Sequence, residues 1–234
     1  MMKESNKVII GIVAKHNPKN TGCEKTYITD ATKQAIFDNG AIAIGILPTE
    51  STVNYKGNNN EWKDTLTEFQ KNNLISQIKL CNGIILQGGL EMDNYEFIVA
   101  KYCYENNIPI LGICAGQNAI AKALGGTTYK ISNPEKHNVS RDYVHNIKID
   151  KNSKFYSIIG SEEIMVNSLH TNTIDTCPYL DKVAFCEDGY SDVIEAKNKS
   201  FYIGVRFHPE DLYNKDSKVN NIFTSFIDAC IQSK

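Results

Sequence analysis

The stretch that most constrains the fold is IPILGICAGQNAIAKALGG, residues 108–126. It begins as a short apolar run, which predicts a buried strand bounded by turn-forming residues. The chain then turns at the GICAG run, residues 112–116, and continues with good helix propensity to a paired-glycine stop. Cys114 therefore lies where a strand passes into a helix, with a glycine two residues before it and another two residues after it. This is the cysteine form of a nucleophile elbow.

An elbow of this kind suits a reactive cysteine. At a helix N-terminus the sulfur of Cys114 meets the positive end of the helix dipole, which favours the thiolate. The backbone N–H groups there can also bind an oxyanion. The alternative is that Cys114 is a small buried apolar residue, as free cysteines often are. A partner base elsewhere in the chain decides between the two.

Strand-like and helix-like segments alternate through the first half of the chain. We predict strands at 7–13, 41–48, 83–89 and 108–113, and helices at 26–40, 61–80 and 92–106. This alternation is typical of an α/β fold with a doubly wound, mainly parallel sheet. The second half instead has short strands at hairpin-like spacing, at 143–150, 163–168, 182–187, 191–196 and 201–207. These predict a small antiparallel β extension, closed by an amphipathic helix at 217–232.

Composition places the chain among ordinary globular proteins. It has 234 residues, of which 41% are hydrophobic and 22% charged, and no repeat or linker divides it, so we expect a single domain over residues 1–234. A net charge of −2 gives no reason to expect nucleic acid or membrane partners. No apolar run approaches the roughly 18 residues of a membrane span, and the N-terminal apolar run is too short for a signal peptide.

The number and spacing of the seven cysteines also fit an ordinary globular protein. They are odd in number and scattered, and no two have the C-x-x-C spacing, so neither a disulfide framework nor a zinc ribbon is indicated. We expect a reducing, cytoplasmic location.

A partner base for Cys114 is present in GVRFHPEDL, residues 204–212. His208 directly follows a predicted strand, Pro209 ends that strand, and Glu210 lies two residues beyond the histidine. A thiol nucleophile needs an imidazole within hydrogen-bond reach, and the imidazole needs a carboxylate to hold its orientation. Alone, His-Pro-Glu is also compatible with a surface turn and a solvated glutamate. With the elbow, it predicts a Cys114–His208–Glu210 triad.

Together these motifs resemble the glutamine amidotransferase-like family whose nucleophile is cysteine. The family pattern G-x-C-x-G-x-Q appears as GICAGQN, and G-V-Q-W-H-P-E appears as GVRFHPE. The order of the segments YITDATKQAIFDNGAIAIGILP, GIILQGG, MVNSLH and FCEDGYSDVIEA is similar to the branch of free-standing gamma-glutamyl peptide hydrolases. That branch includes the gamma-glutamyl-gamma-aminobutyrate hydrolases.

The resemblance implies a flavodoxin-like sheet and hydrolysis of gamma-glutamyl amides through a glutamyl-thioester, with no metal and no cofactor. Cys114 is the implied nucleophile, and the backbone N–H groups of Gly89 and Ala115 are the implied oxyanion hole. The glycine pair is equally compatible with an ordinary strand-to-loop turn. The implied substrate-binding residues are Gly88, Asn118, Asn167, Ser168 and His170. For His170, a buried structural histidine is an equal alternative.

Several positions depart from the family pattern. Asn118 replaces the motif glutamine, and Gln117 cannot substitute for it because one residue along a helix rotates a side chain by about 100°. Asn172 replaces the glutamine that follows N-S-x-H, and Ala115 replaces a bulkier residue. Arg206 replaces the glutamine that precedes F-H-P-E. We expect Arg206 to point to solvent; the alternative is that it adds positive charge near the pocket. These changes leave the predicted triad intact.

Three functions remain open. The first is a hydrolase with a small-molecule gamma-glutamyl substrate, working alone or as a homodimer. The second is a glutaminase subunit that supplies ammonia to a separate synthetase. The third is a binding protein without catalysis, against which the intact Cys114, His208 and Glu210 argue.

Overall fold

A computed structural model describes residues 7–16, 25–48, 54–55, 65–89 and 92–233. Strands and helices alternate through the first half as expected. The elements there are β1 (Ile9–Val13), β2 (Lys15–His16), β3 (Thr26–Tyr27), α1 (Asp30–Asp38), β4 (Ile42–Ile46), β5 (Asn54–Tyr55), α2 (Glu68–Ile78), β6 (Gly83–Leu86), β7 (Met92–Asp93), α3 (Asn94–Glu105), β8 (Ile110–Ile113) and α4 (Ala115–Ala123).

The second half is mainly strands. Its elements are β9 (Thr127–Lys130), α5 (Pro134–His137), β10 (Asn138–Ile149), α6 (Lys154–Ile159), β11 (Glu163–Leu169), β12 (Asn172–Thr176), β13 (Asp181–Cys186), β14 (Ser191–Glu195), β15 (Tyr202–Val205), a 3-10 turn (Pro209–Asp211) and α7 (Ser217–Gln232).

Nine strands form one continuous sheet in the order β11-β10-β13-β14-β15-β8-β6-β1-β4. The strands from β15 to β4 are parallel, whereas β14, β13, β10 and β11 pair antiparallel. The predicted α/β class with a mainly parallel, doubly wound sheet is therefore confirmed. The antiparallel strands extend the edge of this sheet, and a separate two-stranded sheet pairs β9 with β12.

Alternate residues of the central strands face two hydrophobic layers. In β6, Ile85 belongs to the layer that contains α1 and α7, whereas Ile84 and Leu86 belong to the layer that contains α2, α3 and α4. Both faces are thus covered by helices, which is why the central strands are continuously apolar instead of alternating.

Some boundaries differ from those expected. The helix predicted from residue 26 begins at Asp30, because Thr26–Tyr27 pairs with Lys15–His16. The helix predicted over 61–80 spans Glu68–Ile78, where Thr67 and Gln70 form a capping box; residues 61–64 lie outside the described part. The strand predicted at 143–150 begins at Asn138, since β11 pairs along its polar first residues.

No helix in the described residues is long and apolar enough to cross a membrane. The six cysteines in the described ranges are free thiols.

Candidate active site

The elbow holds Cys114 in an unusual backbone conformation. Its φ is 52° and its ψ is −104°, a region that non-glycine residues rarely adopt and that is typical of functional sites. The Cys114 N–H donates to the carbonyl of Val205 at 2.8 Å, which ties the elbow to β15. A side chain at Gly116 would lie 2.1 Å from the carbonyl oxygen of Leu86, so the start of α4 can reach β6 only with glycine there.

Cys114, His208 and Glu210 meet at the carboxyl ends of β8 and β15. Glu210 Oε1 lies 2.8 Å from His208 Nδ1, and the thiol of Cys114 is hydrogen-bonded to the His208 ring. Since Nδ1 faces the carboxylate, Nε2 is the nitrogen that can exchange a proton with sulfur. All three side chains are buried. The structure thus brings the three predicted catalytic residues together.

Their surroundings favour a thiolate beside an imidazolium. Burial raises the pKa of Cys114, but the hydrogen bond from His208 and the positive charges of His208 and Arg206 outweigh it, and the net pKa is lowered. Burial lowers the pKa of His208, but the carboxylate of Glu210 and the hydrogen bond with Cys114 raise it well above its ordinary value. These two shifts both favour the thiolate–imidazolium form of the pair over a neutral thiol beside a neutral imidazole.

Asn167 fixes the backbone of His208. Its Oδ1 accepts from the His208 N–H at 2.7 Å, and its Nδ2 donates to the His208 carbonyl at 3.0 Å and to the Arg141 carbonyl at 3.1 Å. The amide is fully buried and is committed to these backbone groups. The Asn167 side chain thus holds the backbone of His208, and its contact with substrate stays a prediction.

Arg206 does not point to solvent. Only 1% of its surface is exposed, and its guanidinium donates to the Asn118 Oδ1 at 2.6 Å and to the Cys114 carbonyl at 3.3 Å. The expectation that Arg206 points to solvent is therefore wrong. Arg206 directly follows β15, and α4 and the antiparallel strands cover this end of the sheet. Asn118 is accordingly engaged by Arg206 under the elbow.

Ser168 and His170 brace a neighbouring segment. Ser168 Oγ and the His170 N–H both donate to the carbonyl of His137, at 2.7 and 2.9 Å. Burial, with the nearby Arg206 and His137, lowers the pKa of His170 to about 2, so its imidazole is neutral. Substrate contacts for Ser168, His170 and Asn118 stay predictions, since none of them lines the cavity beside Cys114.

That cavity has a volume of about 370 Å³, within the range of small-molecule sites. It opens directly onto the nucleophile and onto both members of the predicted glycine pair. Its lining residues are Tyr27, Thr29, Ala31, Gly88, Gly89, Cys114, Asn138, Arg141, Leu169, His208 and Glu210.

Gly88 and Gly89 approach the site closely. A side chain at Gly88 would lie 2.7 Å from His208 Cε1 and 3.5 Å from the Cys114 Cβ, so only glycine leaves room for both. Gly89 lies against the buried Lys15, which pairs with Glu96 at 2.8 Å. The Ala115 N–H belongs to the first turn of α4, where N–H groups have no intrahelical acceptor. These positions fit the predicted oxyanion hole, whose role stays a prediction.

Sequence reasoning missed Tyr27, Thr29, Asn138, Arg141 and Leu169 as lining residues. A signal existed for one of them: Leu169 lies within the N-S-L-H stretch and shares a strand face with Asn167. Tyr27 and Thr29 are placed by the buried Gln87, whose Nε2 donates to the Tyr27 carbonyl and whose Oε1 accepts from the Thr29 N–H.

A doubly wound sheet that presents a cysteine at a strand–helix elbow, beside a histidine and a glutamate, defines a class of cysteine hydrolase-type enzymes. The Peptidase C26 family matches residues 89–210, which is more than half of the chain and includes Cys114, His208 and Glu210. The chain belongs to the Peptidase C26 family, within the class I glutamine amidotransferase-like superfamily.

Two curated proteins resemble the chain in sequence, and one solved structure resembles it in fold. The chain is 35% identical over 138 residues to a GMP synthase [glutamine-hydrolyzing] of Prochlorococcus marinus, covering 57% of this chain and 24% of that protein. It is 25% identical over 191 residues to the CTP synthase of Chlamydia abortus. The aligned part covers 67% of this chain and 35% of that protein. The glutaminase domain of Trypanosoma brucei CTPS with bound acivicin shares the fold at a TM-score of 0.65 and 15% identity, covering 97% of this chain and 94% of that one.

The chain spans 35% of the length of that CTP synthase and 24% of the length of that GMP synthase. It corresponds to one part of these longer proteins, and the activity of the whole relatives does not transfer to it directly.

Proposed function

We propose that this protein hydrolyses gamma-glutamyl amides or peptides through a glutamyl-thioester on Cys114. The observation that carries the proposal is the placement of Cys114 beside His208, which Glu210 orients, on the lining of one cavity, where the surroundings lower the pKa of the thiol and raise that of the imidazole. A thiolate beside an imidazolium is prepared both to attack a carbonyl carbon and to protonate the amine that leaves.

In the first half of the reaction, the Cys114 sulfur forms a bond with the side-chain carbonyl carbon of the gamma-glutamyl group. The carbonyl oxygen takes the negative charge, and the N–H groups of Gly89 and Ala115 stabilise it. His208 Nε2 then gives its proton to the amide nitrogen, the carbon–nitrogen bond breaks, and the amine departs. The thioester remains on the enzyme.

In the second half, neutral His208 takes a proton from a water molecule as the water oxygen attacks the thioester carbon. The carbon–sulfur bond breaks, glutamate leaves, and the Cys114 thiolate is restored beside an imidazolium. Glu210 stabilises that imidazolium throughout, at 2.8 Å from Nδ1.

The cavity suits a substrate that carries an α-carboxylate. Arg141 lies on the lining, its side chain is 66% exposed, and its guanidinium pairs with Asp211 at 2.7 Å. A cation at the mouth attracts the charged glutamyl end, and the apolar Leu169 and Ala31 leave space for a leaving amine.

A second candidate is a glutaminase subunit that works with a synthetase. It is favoured by one finding: the relatives named as GMP and CTP synthases are longer proteins of which this chain covers about a third or less. In that case free glutamine is the substrate, and ammonia is the product that a partner consumes.

The test is glutamate release by the purified protein and by its Cys114→Ala variant. The panel holds gamma-glutamyl-gamma-aminobutyrate, gamma-glutamyl dipeptides, a gamma-glutamyl anilide and free glutamine. We expect release from at least one gamma-glutamyl amide and none with Cys114→Ala. Turnover of glutamine alone favours the glutaminase subunit, and no release from any of them, with Cys114 reduced and the protein folded, overturns the proposal.

A further inference from the structure

A second group of reactive side chains lies away from the active site, in the antiparallel part of the sheet. His137 ends α5, His145 is on β10, and Cys186 ends β13. One donor atom from each residue lies within 4.8 Å of the others. Cys186 lies opposite Ile147, two residues from His145, so the strand register places the last two side chains on one face.

The histidines have ring nitrogens that lack a hydrogen-bond partner. His137 Nδ1 and His145 Nε2 are both buried, and neither has a hydrogen-bond partner within the described structure. The other nitrogen of His137, Nε2, lies 3.1 Å from Asp188 Oδ2, and Asp188 is fixed in turn by Asn133 at 2.7 Å. A carboxylate behind a histidine, with the far nitrogen free, is the arrangement that orients histidines toward metal ions.

A negative charge lies beside the group. Asp192 is 1% exposed, and neither of its carboxylate oxygens has a hydrogen-bond partner in the described structure. Its Oδ1 lies 3.7 Å from His145 Nε2, beyond hydrogen-bond distance. The charge of Asp192 interacts with the buried guanidinium of Arg206, and a cation close to His145 would add a second favourable interaction with this carboxylate, which has no hydrogen bond of its own.

The group has access from solvent. A cavity of about 220 Å³ is lined by Lys136, His137, Val144, His145, Cys186, Glu187 and Asp188. It has room for an ion and the water molecules that complete its coordination. The active-site cavity has a different lining, with no residue in common.

We propose that His137, His145 and Cys186 bind a divalent transition-metal ion, with Zn²⁺ as the preferred ion. Two imidazole nitrogens and a thiolate select Zn²⁺ over the oxygen-preferring Mg²⁺ and Ca²⁺. Donor atoms around a tetrahedral Zn²⁺ are about 3.3–3.6 Å apart, so donor atoms that lie within 4.8 Å of one another need to approach by at most about 1.5 Å. The Cys186 thiol loses its proton to bulk water on binding, and no electron is transferred.

The ion would tie the end of α5 to β13. His137 directly precedes Asn138, a lining residue of the active-site cavity, and its carbonyl accepts from Ser168 and His170. The site is therefore placed to stabilise one wall of the active-site cavity, although its existence does not depend on the proposed reaction.

Cobalt binding tests the proposal in the 234-residue chain. Co²⁺ replaces Zn²⁺ in such sites, and a cobalt–thiolate bond gives a charge-transfer absorption in the near ultraviolet. The Cys114→Ala variant is used throughout, after treatment with chelator, because the active-site thiol and His208 would otherwise give a similar signal. We expect this absorption to saturate at one equivalent of Co²⁺ and to disappear when Zn²⁺ is added.

Further variants in the Cys114→Ala background locate the site. Cys186→Ser should abolish the thiolate absorption, His145→Gln should weaken binding strongly, and Asp188→Asn should weaken it about 10- to 100-fold. Cys177→Ser is the matched control, because Cys177 is half-buried and its thiol donates to the Leu180 carbonyl, away from the group. That variant should bind like the parent.

Thermal unfolding in chelator shows whether each variant is folded. If Cys186→Ser does not fold, the loss of cobalt binding in His145→Gln tests the site instead. The His145 side chain is 16% exposed, so this position tolerates substitution better. No thiolate absorption at about a hundredfold excess of Co²⁺ overturns the proposal. An absorption that survives both Cys186→Ser and His145→Gln also overturns it.

Discussion

At the scale of single residues, the charge on Cys114 depends on the groups that surround its sulfur. Burial alone would keep the thiol protonated, as it does at Cys103 in α3, where burial and the nearby Cys81 raise the pKa strongly. His208 and Arg206 reverse that effect at Cys114. The consequence is measurable as reactivity and as pH dependence.

The pH dependence of kcat/KM should be bell-shaped. Its acid limb follows deprotonation of Cys114, whose pKa lies below the ordinary 9.0, and its alkaline limb follows loss of the His208 proton, above the ordinary 6.5. Alkylation by iodoacetamide should report the same thiolate. Cys81 serves as an internal comparison, because burial raises its pKa to about 11. A single ionisation at the ordinary thiol value would contradict the ion pair.

Replacement of Arg206 by glutamine should shift the alkylation profile to higher pH. The change removes a buried positive charge whose guanidinium is 3.3 Å from the Cys114 carbonyl, so the thiolate loses stabilisation. We expect kcat/KM at neutral pH to fall about threefold to tenfold. Arg141→Gln is the control: it removes an exposed charge at the cavity mouth, and should raise KM without moving the alkylation profile.

Gly88→Ala should displace the catalytic imidazole. The added methyl group would lie 2.7 Å from His208 Cε1, which forces the ring out of line with Cys114. A displacement of about 1 Å lowers kcat by about 100-fold, while the protein stays folded. Gly45→Ala on β4 is the control, because its methyl group meets only the flexible ends of two side chains, Ile28 at 3.1 Å and Leu47 at 3.9 Å. Equal activity in both variants would place the histidine elsewhere during catalysis.

At the scale of secondary-structure elements, β11 and the turn after β15 form one unit through Asn167. This contact joins the antiparallel edge strands to the catalytic base, and it explains why a strand far from the elbow matters for the site. The strand and the turn are 41 residues apart in the chain.

Asn167→Ala should lower kcat with little change in KM, because it leaves the His208 N–H and C=O buried without their partners. We expect a loss of stability of about 1–3 kcal/mol, measured by chemical denaturation. Asn172→Ala is the matched control, since the Asn172 amide donates only to Thr171 Oγ1, at 3.4 Å. A raised KM with unchanged kcat would instead show that Asn167 contacts the substrate.

The elements that sequence predicted best are those with strong local signals. The elbow is fixed by glycines at 112 and 116, and the central strands by unbroken apolar runs, so both follow from a few neighbouring residues. The first half of β10 was missed because its residues are polar and its partner is β11, more than twenty residues away. The burial of Arg206 was missed because it depends on Asn118 and on strands that cover the sheet end.

At the scale of the whole molecule, the topology places the cavity. The chain passes from β1 to β4 on one side and then returns to β6 on the other side of β1. Ligands in doubly wound sheets bind at the carboxyl ends of strands beside such a reversal. Gly88 and Gly89 follow β6, and Cys114 follows β8, so they meet there. Sequence order predicted this edge of the sheet but not the lining residues contributed by the antiparallel strands. The expectation of one domain stays a prediction.

The most direct measurement for the whole account is the intact mass of the protein, quenched in acid during turnover of a gamma-glutamyl amide. We predict a species heavier by one glutamyl group, located on the peptide that contains Cys114 and absent from Cys114→Ala. In a His208 variant that still acylates, this glutamyl adduct should accumulate, because hydrolysis of the thioester needs His208 as the base. Glutamate release from the native protein with no such adduct, or an adduct that persists in Cys114→Ala, would contradict the thioester mechanism.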